Sequence, residues 1–157
     1  MVQLQQGRSR VDGLLAARRL QRVPANQDLA RALLEQARAH VRTSVAAEDD
    51  DAIGSFQLAY DAARKALTAV LAAQGLRPTS RGGHAVVEEA VSAQFVPPHG
   101  GIVAPFRWMR PLRNDSEYPS LGRPVARAED AAAARTAAMG MVEWAAGLIQ
   151  GLSDYGE

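Results

Sequence analysis

Residues 52–75 read AIGSFQLAYDAARKALTAVLAAQG, and their periodicity decides the fold class. Ile53, Phe56, Tyr60, Ala63, Leu67 and Val70 recur three and four residues apart, which lays one apolar stripe along a helix. The spacing predicts a helix over about 50–74. Asp49, Asp50 and Asp51 crowd its start, where the helix dipole favours negative charge, so the acidic run reads as capping. Gly75 is the natural stop, with Pro78 beyond it.

Outward from this helix the same period repeats. Residues 8–22, with Leu14, Leu15 and Leu20 facing inward, read as a first helix that Val23-Pro24 ends. Asn26 is an N-cap for a second, whose helical spacing runs through Leu29, Leu33, Gln36 or Ala37, His40 or Val41, and Ser44 or Val45 to about Ala47. After the turn LRPTSRGG, a helix near 83–95 carries Val86, Val87, Ala90, Val91 and Phe95. VPPHGGIVAP breaks all periodicity and reads as a loop. Residues 106–114 form a short helical piece, broken or kinked at Pro111. A long last helix over 127–152 has its stripe in Ala131, Ala134, Ala138, Met141, Ala145, Leu148 and Leu152, followed by a frayed tail at 154–157.

Composition agrees with helices alone. The 157 residues are 47% hydrophobic but only 5% aromatic, and alanine is abundant, which suits closely packed helices and disfavours strands. The expected architecture is all-α, an antiparallel up-and-down bundle of five to six helices with no strand, in one domain whose core spans about 8–152.

Several functions are excluded or disfavoured. There is no cysteine, so disulfides and thiolate chemistry are absent, which fits a cytoplasmic setting. No apolar run approaches the ~20 residues of a spanning helix, and MVQLQQGRSR lacks the apolar core of a secretory signal, so no membrane association is expected. There is no P-loop, dinucleotide fingerprint, HExxH or GxSxG, hence no expected cofactor or metal. Net charge is +1, but it is blocky: +5 over 1–47, −5 over 48–63, +4 over 64–123 and −3 over 124–157. Alternating blocks suit antiparallel helices that neutralise one another and leave room for a local basic surface.

Chemistry concentrates in PLRNDSEYPS, residues 111–120, and the arginines before it. Arg107, Arg110 and Arg113 recur every three residues and line one side of a helix, where guanidiniums can grip phosphate oxygens bidentately. They can equally pair with Asp115, Glu117 or the acidic block at 48–51. Trp108 sits among them and can stack a base or pack on a neighbouring helix. Of the histidines, His40 reads as a partly buried structural residue and His99 as solvent-facing. His84 opens a helix after Gly83, where it can cap or bond across the bundle.

Residues 59–87, with their aromatic-then-basic helix and the Gly83-His84 start of the next, resemble HEPN domains, and PLRNDSEYP resembles the HEPN signature. The form with Glu117-Tyr118-Pro119 is similar to an actinobacterial branch linked to defence or toxin–antitoxin contexts. The resemblance implies an all-helical fold, a homodimer with a composite cleft, and an antitoxin or nucleotidyltransferase-like partner. It implies metal-independent RNA cleavage in which a 2′-hydroxyl attacks the adjacent phosphate. Arg113 and Asn114 match the signature's arginine and polar residue. Tyr118 stands where the signature has histidine; an unperturbed tyrosine pKa near 10, against about 6.5 for histidine, makes it a poor base at neutral pH. Glu117 is a candidate base, and His84 can enter the cleft from its own helix. Three readings stay open: a ribonuclease, a non-catalytic module binding RNA, a nucleotide or a partner protein, and a helical dimerisation domain whose polar patch is a salt-bridge network.

Overall fold

The computed structural model of the chain describes residues 5–156; residues 1–4, where the reading against a secretory signal begins, and Glu157 lie outside them. The fold is an all-α bundle. Six helices make its body: α1 (Arg8–Ala16), α2 (Gln27–Ala47), α3 (Ala52–Ala73), α4 (Ala85–Phe95), α6 (Phe106–Glu117) and α7 (Ala128–Leu148). A single turn, α5 (Gly100–Val103), lies within the stretch expected to be a loop, and a 3-10 turn over Ile149–Gly151 extends α7.

The 52–75 stretch becomes the central helix. It is buried on nearly every side rather than along one stripe: Ser55, Ala59, Ala62, Ala66, Ala69 and Ala72 are covered as well as Phe56, Tyr60 and Leu67. Alanine on the remaining faces lets α2 and α7 both pack closely against it. Asp51 caps it by accepting from the Gly54 N–H at 2.8 Å. Glu48 is drawn instead to Arg135 of α7, at 2.6 Å, beside the buried Ser44–Ser55 pair that joins α2 to α3.

Several helix details depart from the expected pattern. On α2 the buried face is Ala30, Leu34, Ala37 and Ser44: Ala37 and Ser44 fall on the expected stripe, but the first turns bury Ala30 and Leu34, one position round from Leu29 and Leu33, which leaves Leu29 48% and Val45 60% exposed. Small residues at 30 and 37 allow a closer approach to α3 than leucine or valine would. The first helix stops at Ala16 rather than 22. Arg18 adopts φ 57, and the N–H groups of Arg18 and Arg19 reach back to Leu15 O and Leu14 O, both at 3.0 Å, a Schellman stop built without glycine. The chain then forms a two-stranded antiparallel sheet, where no strand was expected: β1 (Leu20–Arg22) pairs with β2 (Leu76–Pro78), Gln21 opposite Arg77. Gly75, at φ 73, makes the turn from α3 into β2, and its carbonyl accepts from Val23 N–H at 2.9 Å.

Pro111 does not end α6. It removes one N–H from the ladder, yet the helix runs on through Glu117, held by buried Phe106, Met109 and Ser116, with Ser116 Oγ accepting from Ala126 N–H at 2.9 Å. The tail is not frayed through its described residues either. Tyr155 is buried, its hydroxyl donating to Asp12 at 2.8 Å and its N–H to Gln74 O at 2.8 Å.

Candidate functional site

The β1–β2 pair positions the site. Beyond β2, the Thr79 hydroxyl donates to Arg18 O at 2.6 Å and its N–H to Arg19 O at 3.0 Å, which ties the 79–84 turn to the end of α1. Gly82 lies so close to Arg19 O that a Cβ would approach it to 2.3 Å, so the turn needs glycine there. The turn delivers His84 to the start of α4. Its Nδ1 sits 3.0 Å from the Tyr60 hydroxyl of α3.

Tyr60 is the hub. Its ring stacks on Phe106 of α6 at 5.2 Å, and the Arg113 guanidinium lies 5.8 Å from its centroid. Burial pushes the Tyr60 hydroxyl up to about 12, against the pull of Arg113, Arg64 and Arg110, so at neutral pH it stays protonated. His84 is held below its ordinary value, first by burial and then by Arg64 and Arg113, with Asp61 opposing. Its imidazole is therefore neutral at pH 7, and in the tautomer whose Nδ1–H donates to the Tyr60 oxygen the Nε2 lone pair is free.

Around this pair stand Arg64, Lys65, Arg110 and Arg113, facing Asp61 and Glu117. Asp61 accepts two bonds from Arg64, at 2.6 and 3.0 Å. Burial alone would raise Asp61, but these bonds and Lys65 hold it below the usual carboxylate range. Arg113 pairs with Glu117 at 2.5 Å. Two positive charges remain in excess. A cavity of about 430 Å³ opens between the N-terminal half of α3 and α6, lined among others by Asp51, Gln57, Tyr60, Asp61, Arg113 and Glu117. His84 does not line it; the Tyr60 hydroxyl joins the two.

The candidate residues from the sequence divide. Arg113, Glu117 and His84 come together. Tyr118 does not join them: it is the C-cap of α6 and 72% exposed, and Asn114 is exposed beside it. Trp108 is 39% exposed and tilts on Phe56 at 6.2 Å. Arg107 leaves the site to pair with Glu88 of α4 at 2.8 Å. None of the three arginines pairs with the acidic block at 48–51, and Asp115 takes Arg123 at 3.2 Å. His99 is half-buried with its ring 5.5 Å from Trp144, not solvent-facing. His40 is half-buried, as expected, and accepts from Lys65 Nζ at 2.6 Å.

In the sequence Tyr60 reads as a core residue of the aromatic-then-basic helix, and neither Asp61 nor Arg64 is assigned to the site. Their signal was the 60, 61, 64 spacing on one helical face, which has meaning only once α4 and α6 are known to flank it. Among the described residues, no group of three or more histidine, aspartate or glutamate side chains is placed to hold a metal, and no helix is long and apolar enough to cross a membrane. Comparison with family models, curated proteins and solved structures finds no match for this chain.

Proposed function

We propose that this protein is a HEPN-like ribonuclease that cleaves RNA without a metal, with His84 in place of the histidine missing after Arg113. The observation that carries the reading is the Tyr60–His84 contact at 3.0 Å with the Arg113 guanidinium over the same tyrosine ring. His84 Nε2 takes the proton from an RNA 2′-hydroxyl, and the 2′-oxygen attacks the adjacent phosphorus. The bond from phosphorus to the 5′-oxygen breaks, the 5′-oxygen receives a proton from the imidazolium, and a 2′,3′-cyclic phosphate remains. Arg113 and Arg64 stabilise the charge that builds on the phosphoryl oxygens. Tyr60, too weak an acid to ionise, accepts from His84 Nδ1–H and so fixes the ring and holds the tautomer with Nε2 unprotonated.

The test is cleavage of RNA by purified protein in EDTA, with cyclic-phosphate ends, lost in His84→Ala and Arg113→Ala. Wild-type protein that leaves RNA intact under these conditions refutes it. In a toxin–antitoxin setting, expression arrests growth and His84→Ala relieves the arrest. One observation favours a second reading, a module that holds RNA or a nucleotide without cutting: Glu117 already occupies Arg113 at 2.5 Å. Salt-dependent RNA binding with no cleavage would select it.

A further inference from the structure

Arg110 serves two places. Its charge acts on both Tyr60 and His84. It also lines a second cavity, of about 640 Å³, together with Arg10, Arg19, Glu88, Glu89 and Arg107. This groove lies among α1, the turn after it, α4 and α6. Glu89 is held by Arg10 and, at 2.9 Å, by Arg19, and Glu88 by Arg107 at 2.8 Å. Four guanidiniums face two carboxylates. Among the described residues Arg110 has no carboxylate of its own, and its Nε is buried without a hydrogen-bond partner.

The exposures sort these charges into fixed and available. Glu88 and Glu89 are 13% and 20% exposed, whereas Arg10 and Arg107 are 65% and 67% exposed. The two arginines can therefore swing from their carboxylates to a phosphate at small cost, because exposed ion pairs are weak. Arg107, Arg110 and Arg113 follow one another at a rise of ~4.5 Å per three residues. The Arg107 and Arg113 positions are thus ~9 Å apart along α6, the axial rise of two to three nucleotides of a stacked strand at ~3.4 Å each.

We propose that this groove binds backbone phosphates of single-stranded RNA that flank the phosphodiester held at Tyr60 and His84, with Arg110 shared between the two subsites. The inference rests on the RNA-directed reading above, but the two can fail separately.

The test is fluorescence anisotropy with a 12-nucleotide 2′-O-methyl RNA, which lacks the attacking hydroxyl and cannot be cut. Arg10→Ala/Arg107→Ala should bind it at least ~10-fold more weakly. The slope of log affinity against log salt should flatten by ~1.4, the value for two lost phosphate contacts at ~0.7 each. Arg31→Ala/Arg42→Ala makes the same change in net charge on α2, which contributes nothing to the groove's lining, and should bind within ~2-fold of wild type. Equal losses in the two double variants, or wild-type affinity and slope in the groove variant, overturn the groove. Displacement of the RNA by a few millimolar inorganic phosphate would also overturn it, marking a small-anion site. Wild-type protein that shows the groove-dependent binding but leaves ordinary RNA uncut would refute cleavage and leave the groove standing. A thermal melt of each variant confirms folding, and both groove substitutions are at exposed side chains.

Discussion

Tyr60→Phe separates the placing of His84 from its acidity. Tyr60 is 1% exposed, and among the described residues its hydroxyl has one hydrogen-bond partner, His84 Nδ1 at 3.0 Å. Phenylalanine keeps the stack on Phe106 and removes only that bond. A typical intramolecular hydrogen bond contributes ~0.5–1.5 kcal/mol net, and His84 can recover water, so the loss of stability should fall near ~1 kcal/mol. For a chain of this length that is a fall of ~2–4 °C in Tm. The effect on cleavage should be larger. An imidazole free to turn about its own bonds loses its aim at the 2′-hydroxyl, and misplacement by about 1 Å costs on the order of 100-fold in rate. We therefore expect kcat to fall ~10- to 100-fold with KM nearly unchanged. The His84 titration, followed by NMR of the ring protons, should stay below 6.5, because burial, Arg64 and Arg113 set it rather than the tyrosine. A variant with wild-type kcat would show that the contact places nothing, and a titration moved above 6.5 would show that the causes assigned to the shift are wrong.

The pH profile follows from the same residue. Cleavage should rise as His84 loses its proton, with its midpoint below pH 6.5 and a plateau above; a midpoint above 6.5 refutes His84 as the base. Stability carries the same sign: His40 and His84 are both lowered in the fold, so the unfolded chain binds protons first. Their contribution is complete above about 6.5 and is lost as pH falls from there through their folded values, which urea midpoints at pH 7.5 and 5.5 can measure. Gln74 and Gln94 exchange amide bonds at 2.7 and 3.1 Å while almost wholly buried. Either change to leucine should cost ~1–3 kcal/mol by stranding the other amide, and the double change should cost less than the sum of the two; additivity within ~0.5 kcal/mol in denaturant melts would refute the coupling. Tyr118→Phe should leave RNA cleavage unchanged within ~2-fold, and a loss beyond ~10-fold would return the tyrosine to the reaction.

The all-α fold was legible because its information is local. Period-3.6 stripes in 83–95 and 127–152 land on the buried faces of α4 and α7, missing only Gln94 and Val142 and including Leu148, which is half-buried, with Asn26 and Gly75 marking ends as their chemistry requires. What was not legible depends on contacts between distant segments. Arg18 takes a left-handed conformation that sequence cues assign to glycine, so the early stop of α1 was hidden, and with it β1 and its pairing to β2. Tyr155 looks like any residue of a polar tail until Asp12 and Gln74 stand beside it. The candidate site divides along the same line. The three-residue spacing of Arg107, Arg110 and Arg113 was in the sequence, but their split between two cavities follows from α4 lying on one side of α6 and α3 on the other.

The continuity of α6 through Pro111 decides which side chain can serve Arg113. At ~100° per residue, a position four after Arg113 lies ~40° round the helix and a position five after lies ~140° round. Glu117 therefore shares the face of Arg113 and pairs with it, while Tyr118 is turned away into solvent. Had the helix broken at Pro111, the chain after it could have folded Tyr118 back onto the guanidinium, and a local signature with tyrosine for histidine would have been a workable site. With the helix intact, no residue at that spacing can reach it. In the proposed reaction the proton-transfer group comes from another element: the 79–84 turn, tied to the end of α1 through Thr79 and made possible by Gly82, brings His84 to Tyr60. A small sheet far from the arginines in sequence thus places the histidine that the proposed reaction uses.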